Sequence, residues 1–107
     1  MSNPKFQEIE TFVKSKPVVV YMKGSPQFPQ CGFSAQTIQA LGACGANPEN
    51  TATVDVLENM EIRNAIKEFT NWPTIPQVFI HGKFVGGCDI VTEMAERGEL
   101  TKLIAGQ

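Results

Sequence analysis

Val18-Val19-Val20-Tyr21-Met22 runs directly into Lys23-Gly24-Ser25-Pro26-Gln27-Phe28-Pro29-Gln30-Cys31-Gly32-Phe33-Ser34 and on into Ala35 to Ala43. The apolar run is short and unbroken, as in a strand with both faces covered. The segment after Cys31 carries Phe33, Ile38, Ala40 and Leu41 and reads as a helix that closes near Gly42 or Gly45. Cys31 therefore stands where a strand has ended and a helix begins. The first N–H groups of a helix lack intrahelical partners and carry partial positive charge, which favours a thiolate. Lys23 adds positive charge across the loop. Ser34 stands where a dithiol redox motif has its second cysteine. Cys31 must then wait for an external thiol or serve as a ligand.

Outward from this stretch, Phe6, Ile9, Phe12 and Val13 recur at helical spacing, and Pro17 ends that helix. Ala46 to Asn50 reads as a surface loop, Thr51 to Val56 as a strand, and Glu58 to Phe69 as a helix with Ile62, Ile66 and Phe69 on one side. Trp72-Pro73-Thr74-Ile75-Pro76 breaks the helix. Gln77 to Ile80 and Lys83 to Val85 form a hairpin around His81-Gly82. Gly86-Gly87 is a joint before a helix from Asp89 to Arg97, and Glu99 to Ile104 is a last short helix. The order predicts an α/β fold: a central four-stranded mixed sheet flanked by helices on both faces.

The 107 residues argue for a single domain, spanning 1–107. A formal net charge of -2 excludes bulk attraction to nucleic acid. No apolar run reaches the roughly 18 residues of a membrane span, and Met1 to Lys5 lack a signal peptide's apolar core. Cys31, Cys44 and Cys88 are odd in number and far apart, which points to an intracellular reducing compartment. They do not have zinc spacing. Cys44 follows Cys31 by 13 residues, roughly 220° further around a helix. His81 falls in a turn.

Lys23-Gly24-Ser25, Pro29, Cys31-Gly32-Phe33-Ser34, Trp72-Pro73-Thr74-Ile75-Pro76 and Gly86-Gly87-Cys88-Asp89 together resemble the monothiol glutaredoxins of the Cys-Gly-Phe-Ser type. The resemblance runs in order over nearly the whole chain. Only Gly45 to Thr53, with Asn47-Pro48-Glu49-Asn50, departs as a slightly longer loop. It implies the thioredoxin-like glutaredoxin fold, glutathione binding, and a [2Fe-2S] cluster held between two protomers.

Glutathione needs cations, an anion and an exposed strand edge. Lys23 and Arg63, with Lys67 one turn on, are candidates for its glycine carboxylate; a solvated helix face is the plain alternative for Arg63 and Lys67. Pro76 resembles the family's cis-proline, which presents the backbone of the preceding residue, Ile75, to the ligand cysteine. Thr74 is a further contact candidate. The helix start at Cys88 and Asp89 suits the γ-glutamyl carboxylate, and Asp89 suits the adjacent ammonium, although Asp also simply caps helices.

A [2Fe-2S] cluster takes four thiolates. Two chains, each contributing Cys31, and two glutathiones supply four. Three functions follow: a cluster carrier, a glutathione-dependent oxidoreductase with Cys31 as nucleophile, and a redox sensor through a Cys31–Cys88 disulfide. The family resemblance implies a monomer when apo and a homodimer with cluster. It also implies BolA-like and apo iron–sulfur partners, and a mitochondrial-matrix or cytoplasmic setting.

Overall fold

The computed structural model describes residues 3–106. Its elements are α1 (Phe6–Val13), β1 (Val18–Met22), α2 (Gly32–Ala43), β2 (Thr51–Asp55), α3 (Met60–Thr70), β3 (Gln77–Ile80), β4 (Lys83–Gly86), α4 (Cys88–Glu96) and α5 (Glu99–Ile104). The sheet order is β2-β1-β3-β4. β1 pairs parallel with β2, Val18 opposite Thr51, and antiparallel with β3, Val18 opposite Ile80. β3 and β4 form the closing hairpin. His81 and Gly82 both have positive φ, 51° and 80°, which suits the right-handed twist of the strands they join.

The unbroken apolar run of β1 is explained by its place between two neighbours and two layers. Val19 and Tyr21 join Ile9, Val13, Ile62, Ile66 and Phe79 under α1 and α3. Val18, Val20 and Met22 join Leu41, Val78, Ile80, Val91, Leu100 and Ile104 under α2, α4 and α5. Alternate side chains thus feed opposite cores, as strand geometry requires. All five residues of β1 are buried, each contributing roughly 1.5–3 kcal/mol if fully withdrawn from water.

Several element boundaries differ by one or two residues from those expected, and Phe33, one of the apolar residues of α2, is 61% exposed. The inward face of α2 is Ser34, Thr37 and Leu41, three and seven residues apart from the first. Leu41 is its single large apolar anchor, because Ile38 is only half-buried. α4 begins at Cys88 rather than Asp89, since Gly87 is extended at its N-cap, and Arg97 is its C-cap. β2 stops at Asp55 and α3 starts at Met60, because the Asn59 side chain accepts the Ile62 N–H and sets the helix start.

Candidate functional site

Cys31 is the N-cap residue of α2, extended at φ -156° and ψ 137°. Its thiol lies below the ordinary thiol range. The Ser34 backbone N–H is the main cause, with the Phe33 N–H, the Lys23 charge and the Ser34 hydroxyl adding to it against partial desolvation. The helix start acts here as a set of donors aimed at sulfur. Ser34 is wholly buried, and its Oγ accepts the Lys23 N–H at 3.2 Å. The serine in place of a second cysteine thus ties the strand end to the helix start.

The loop before Cys31 is a small folded hairpin. Gln30 N–H donates to Lys23 O at 2.9 Å, and Phe28 N–H to Ser25 O at 3.1 Å. Gly24 adopts φ +89°, and a Cβ there would meet Phe28 O at 2.5 Å; only glycine fits. The Asp55 carboxylate closes the base. Its Oδ1 accepts the Gly24 N–H at 3.0 Å and the Leu57 N–H at 2.9 Å.

Beside Cys31 opens a cavity of about 480 Å³. It brings together Lys23, Cys31, Arg63, Lys67, Thr74, Ile75, Cys88 and Asp89, with Phe33, Trp72, Pro73, Pro76, Gly87 and Ile90 completing the wall. The residues come from the end of β1, the start of α2, α3, the 72–76 loop and the start of α4. All eight candidates named from the sequence, Lys67 and Thr74 among them, are in this wall. Among the described residues, Lys23, Arg63, Lys67 and Asp89 form no ion pair. The Arg63 Nε is buried without a partner. A buried donor of that kind calls for an acceptor from outside the chain.

The Ile75–Pro76 bond is cis. Ile75 is buried, and its N–H and C=O have no hydrogen-bond partner among the described residues. That backbone is free to pair with an extended ligand. Packed against the same loop, Gly87 is the N-cap of α4 and provides no side-chain cap, so the first N–H groups are free for an anion beside Asp89. Gly87 keeps the contact close: a Cβ there would sit 3.2 Å from Pro76 O and 3.3 Å from Trp72 Nε1, so a larger residue would push them apart by a few tenths of an ångström.

Cys88 is buried at the first turn of α4, its Sγ 3.9 Å from Thr92 Oγ1. Cys44 is also buried, but in the core under α2, α4 and α5, away from the cavity. His81 Nε2 lies 3.1 Å from Ile104 O at the end of α5. Among the described residues no group of three or more His, Cys, Asp or Glu side chains is arranged for a metal ion.

Several participants were not singled out from sequence. Trp72 packs edge-on to Phe84 at 5.7 Å, with its Nε1 buried and unpartnered. Asp55 and Gln77 brace the loops on either side. A polar residue directly after a buried proline was the available signal for Gln77; Asp55 had none, since a strand-end aspartate is common.

The Glutaredoxin family model matches residues 18–85. The chain belongs to the glutaredoxin family. Its relatives place it in the monothiol branch. Monothiol glutaredoxin-5, mitochondrial, of Lachancea kluyveri is 53% identical over 104 residues, 97% of this chain and 73% of that one. Glutaredoxin 4 of Escherichia coli (strain K12) is 52% identical over 98 residues, 92% and 83% of the two chains. The fold matches the crystal structure of a buckwheat glutaredoxin–glutathione complex with a TM-score of 0.80, at 29% identity over 94% of this chain and 87% of that one. In this glutaredoxin the thioredoxin-like sheet carries one half-exposed thiol, Cys31, in the wall of a cavity that also holds Lys23, Arg63, Lys67 and Asp89.

Proposed function

We propose that this glutaredoxin, as a single domain, binds glutathione in the cavity beside Cys31 and, paired with a second copy, carries a [2Fe-2S] cluster to apo proteins. The observation that carries the reading is the wall itself: Lys23, Arg63, Lys67 and Asp89, none in an ion pair among the described residues, with the free Ile75 backbone and one accessible thiol. Glutathione has matching groups: carboxylates for the cations and for the α4 N–H groups, an ammonium for Asp89, and a cysteine backbone for Ile75. The buckwheat structure holds glutathione on the same fold, which supports the assignment. Lys23 and Arg63 receive the glycine carboxylate, Ile75 the cysteine main chain, and Cys88 N–H and Asp89 the γ-glutamyl end.

Cys31 supplies one thiolate and glutathione a second; two protomers then meet the cluster's requirement of four. The exposed large apolar side chains among the described residues are Phe28, Phe33, Leu57 and Met60; Phe33 lines the cavity, Phe28 lies in the loop before Cys31, and Met60 starts α3, the helix that carries Arg63. Such a rim supports a protein partner over Cys31, either a second copy or the BolA-like and apo iron–sulfur proteins of the family. Three free thiols support a reducing compartment, and the Lachancea kluyveri relative is named mitochondrial. Matrix and cytoplasm both fit this reading. No helix among the described residues is long and apolar enough to cross a membrane.

The lowered Cys31 thiol favours a second activity on the same site. Its thiolate attacks the glutathione sulfur of a mixed disulfide and expels the protein thiolate, which takes a proton. A second glutathione thiolate then attacks the Cys31–glutathione disulfide, releasing oxidised glutathione and Cys31 thiolate. No second protein thiol is needed.

Anaerobic reconstitution with iron, sulfide and glutathione tests the carrier reading. A visible chromophore on a species of dimer mass is expected, absent in Cys31→Ala. A colourless native protein, or colour that survives Cys31→Ala, refutes it.

A further inference from the structure

The segment 72–76 has few ways to hold itself in place. Pro73 and Pro76 have no N–H. None of residues 73–76 takes part in a backbone–backbone hydrogen bond among the described residues. The bonds come from one side chain. Gln77, at the start of β3, is wholly buried. Its Nε2 donates to Trp72 O at 2.9 Å and to Thr74 O at 3.2 Å. Its Oε1 accepts the Thr70 hydroxyl at 2.8 Å. The orientation of the carboxamide is forced, because both carbonyls can only accept and the hydroxyl supplies the donor.

We infer that Gln77 is the positioning residue for glutathione: its carboxamide locks the carbonyls on either side of Pro73 to the end of α3, and so fixes the free Ile75 main chain in the wall of the cavity that also holds Lys23 and Arg63. This rests on the reading of the cavity as a glutathione site. Gln77 itself does not line the cavity, so it acts through Ile75 rather than by contact. A buried carboxamide is costly unless fully bonded. Here both amide hydrogens and the oxygen are used, and two of the three bonds go to the one irregular segment of the cavity wall.

The test is a calorimetric titration of glutathione into the full-length native protein, Gln77→Met and Gln77→Glu, each checked for cooperative unfolding. Gln77→Met keeps the side-chain length but leaves the Trp72 and Thr74 carbonyls unpaired, while the Thr70 hydroxyl keeps Ile66 O as its acceptor at 3.0 Å. Glutathione affinity falls about tenfold or more, while the pH profile of Cys31 alkylation stays native. In Gln77→Glu a protonated carboxyl can donate one bond and an ionised one none. Its affinity ratio to the native protein therefore narrows as pH falls. A folded Gln77→Met that binds like the native protein overturns the inference. So does equal loss of binding and of the native alkylation profile, which marks general collapse of the site. If Gln77→Met does not fold, a pH-independent ratio for Gln77→Glu overturns it. Failure of the native protein to bind glutathione refutes the functional reading instead.

Discussion

Asp55→Ala removes the acceptor at the base of the Cys31 loop. Two N–H groups lose their partner. The Gly24 bond is partly buried, whereas the Leu57 bond faces solvent. Loss at Gly24 costs about 1–2 kcal/mol, and at Leu57, where water substitutes, about 0.5–1 kcal/mol. The sum, about 1.5–3 kcal/mol, lowers the urea midpoint by about 1–3 M at a slope of about 1–1.5 kcal/mol/M. Asp55→Asn retains an oxygen acceptor without the charge, so it recovers most of the loss. Equilibrium urea unfolding, followed by far-ultraviolet circular dichroism and by Trp72 fluorescence, reads both variants. An Asp55→Ala midpoint equal to the native one refutes the anchoring role. An Asp55→Asn midpoint as low as that of Asp55→Ala shows that charge, not acceptor geometry, matters there.

Two further outcomes follow from titrating groups. Folding holds the Cys31 thiol below its ordinary value, mainly through the Ser34 N–H, so the unfolded chain binds more protons between the folded and unfolded pKa values. Native stability relative to Cys31→Ser therefore rises with pH through that window and falls as pH drops through the folded pKa; a flat or opposite difference in urea midpoints contradicts the geometry. Burial raises the Tyr21 phenol, with Glu8 adding to it. Its stabilising contribution is complete below the unfolded phenol pKa and is lost as pH rises above it. Tyr21→Phe shifts the alkaline unfolding limb to higher pH, and an unmoved limb counts against this.

The central strand was legible because an apolar run such as Val18 to Met22 has few other homes in a chain of this size. Its division between two cores was not, because alternation is invisible when every residue is apolar. The inward face of α2 escaped for a related reason. Ser34 and Thr37 are small and polar, and they are tolerated inside because Ser34 accepts the Lys23 N–H and Thr37 donates to Phe33 O at 2.8 Å. The residues that line the cavity were legible through motifs: Cys31 by its strand-to-helix position, and Lys23, Arg63, Ile75, Cys88 and Asp89 by the resemblance to the family. What sequence could not convey were the braces. Asp55 reaches Gly24 across 31 residues, and Gln77 reaches back to Trp72 and Thr74. Both depend on how the loops meet in space.

The most direct test of the account is the composition of the reconstituted coloured species. Native mass spectrometry under anaerobic conditions, with iron, sulfide and glutathione assays on the same fraction, gives it. Two chains, two glutathiones and two irons are expected, with no coloured species when glutathione is omitted. A coloured species with one chain, or one formed without any glutathione, contradicts the claim that the cavity beside Cys31 holds the ligand that completes the thiolate set.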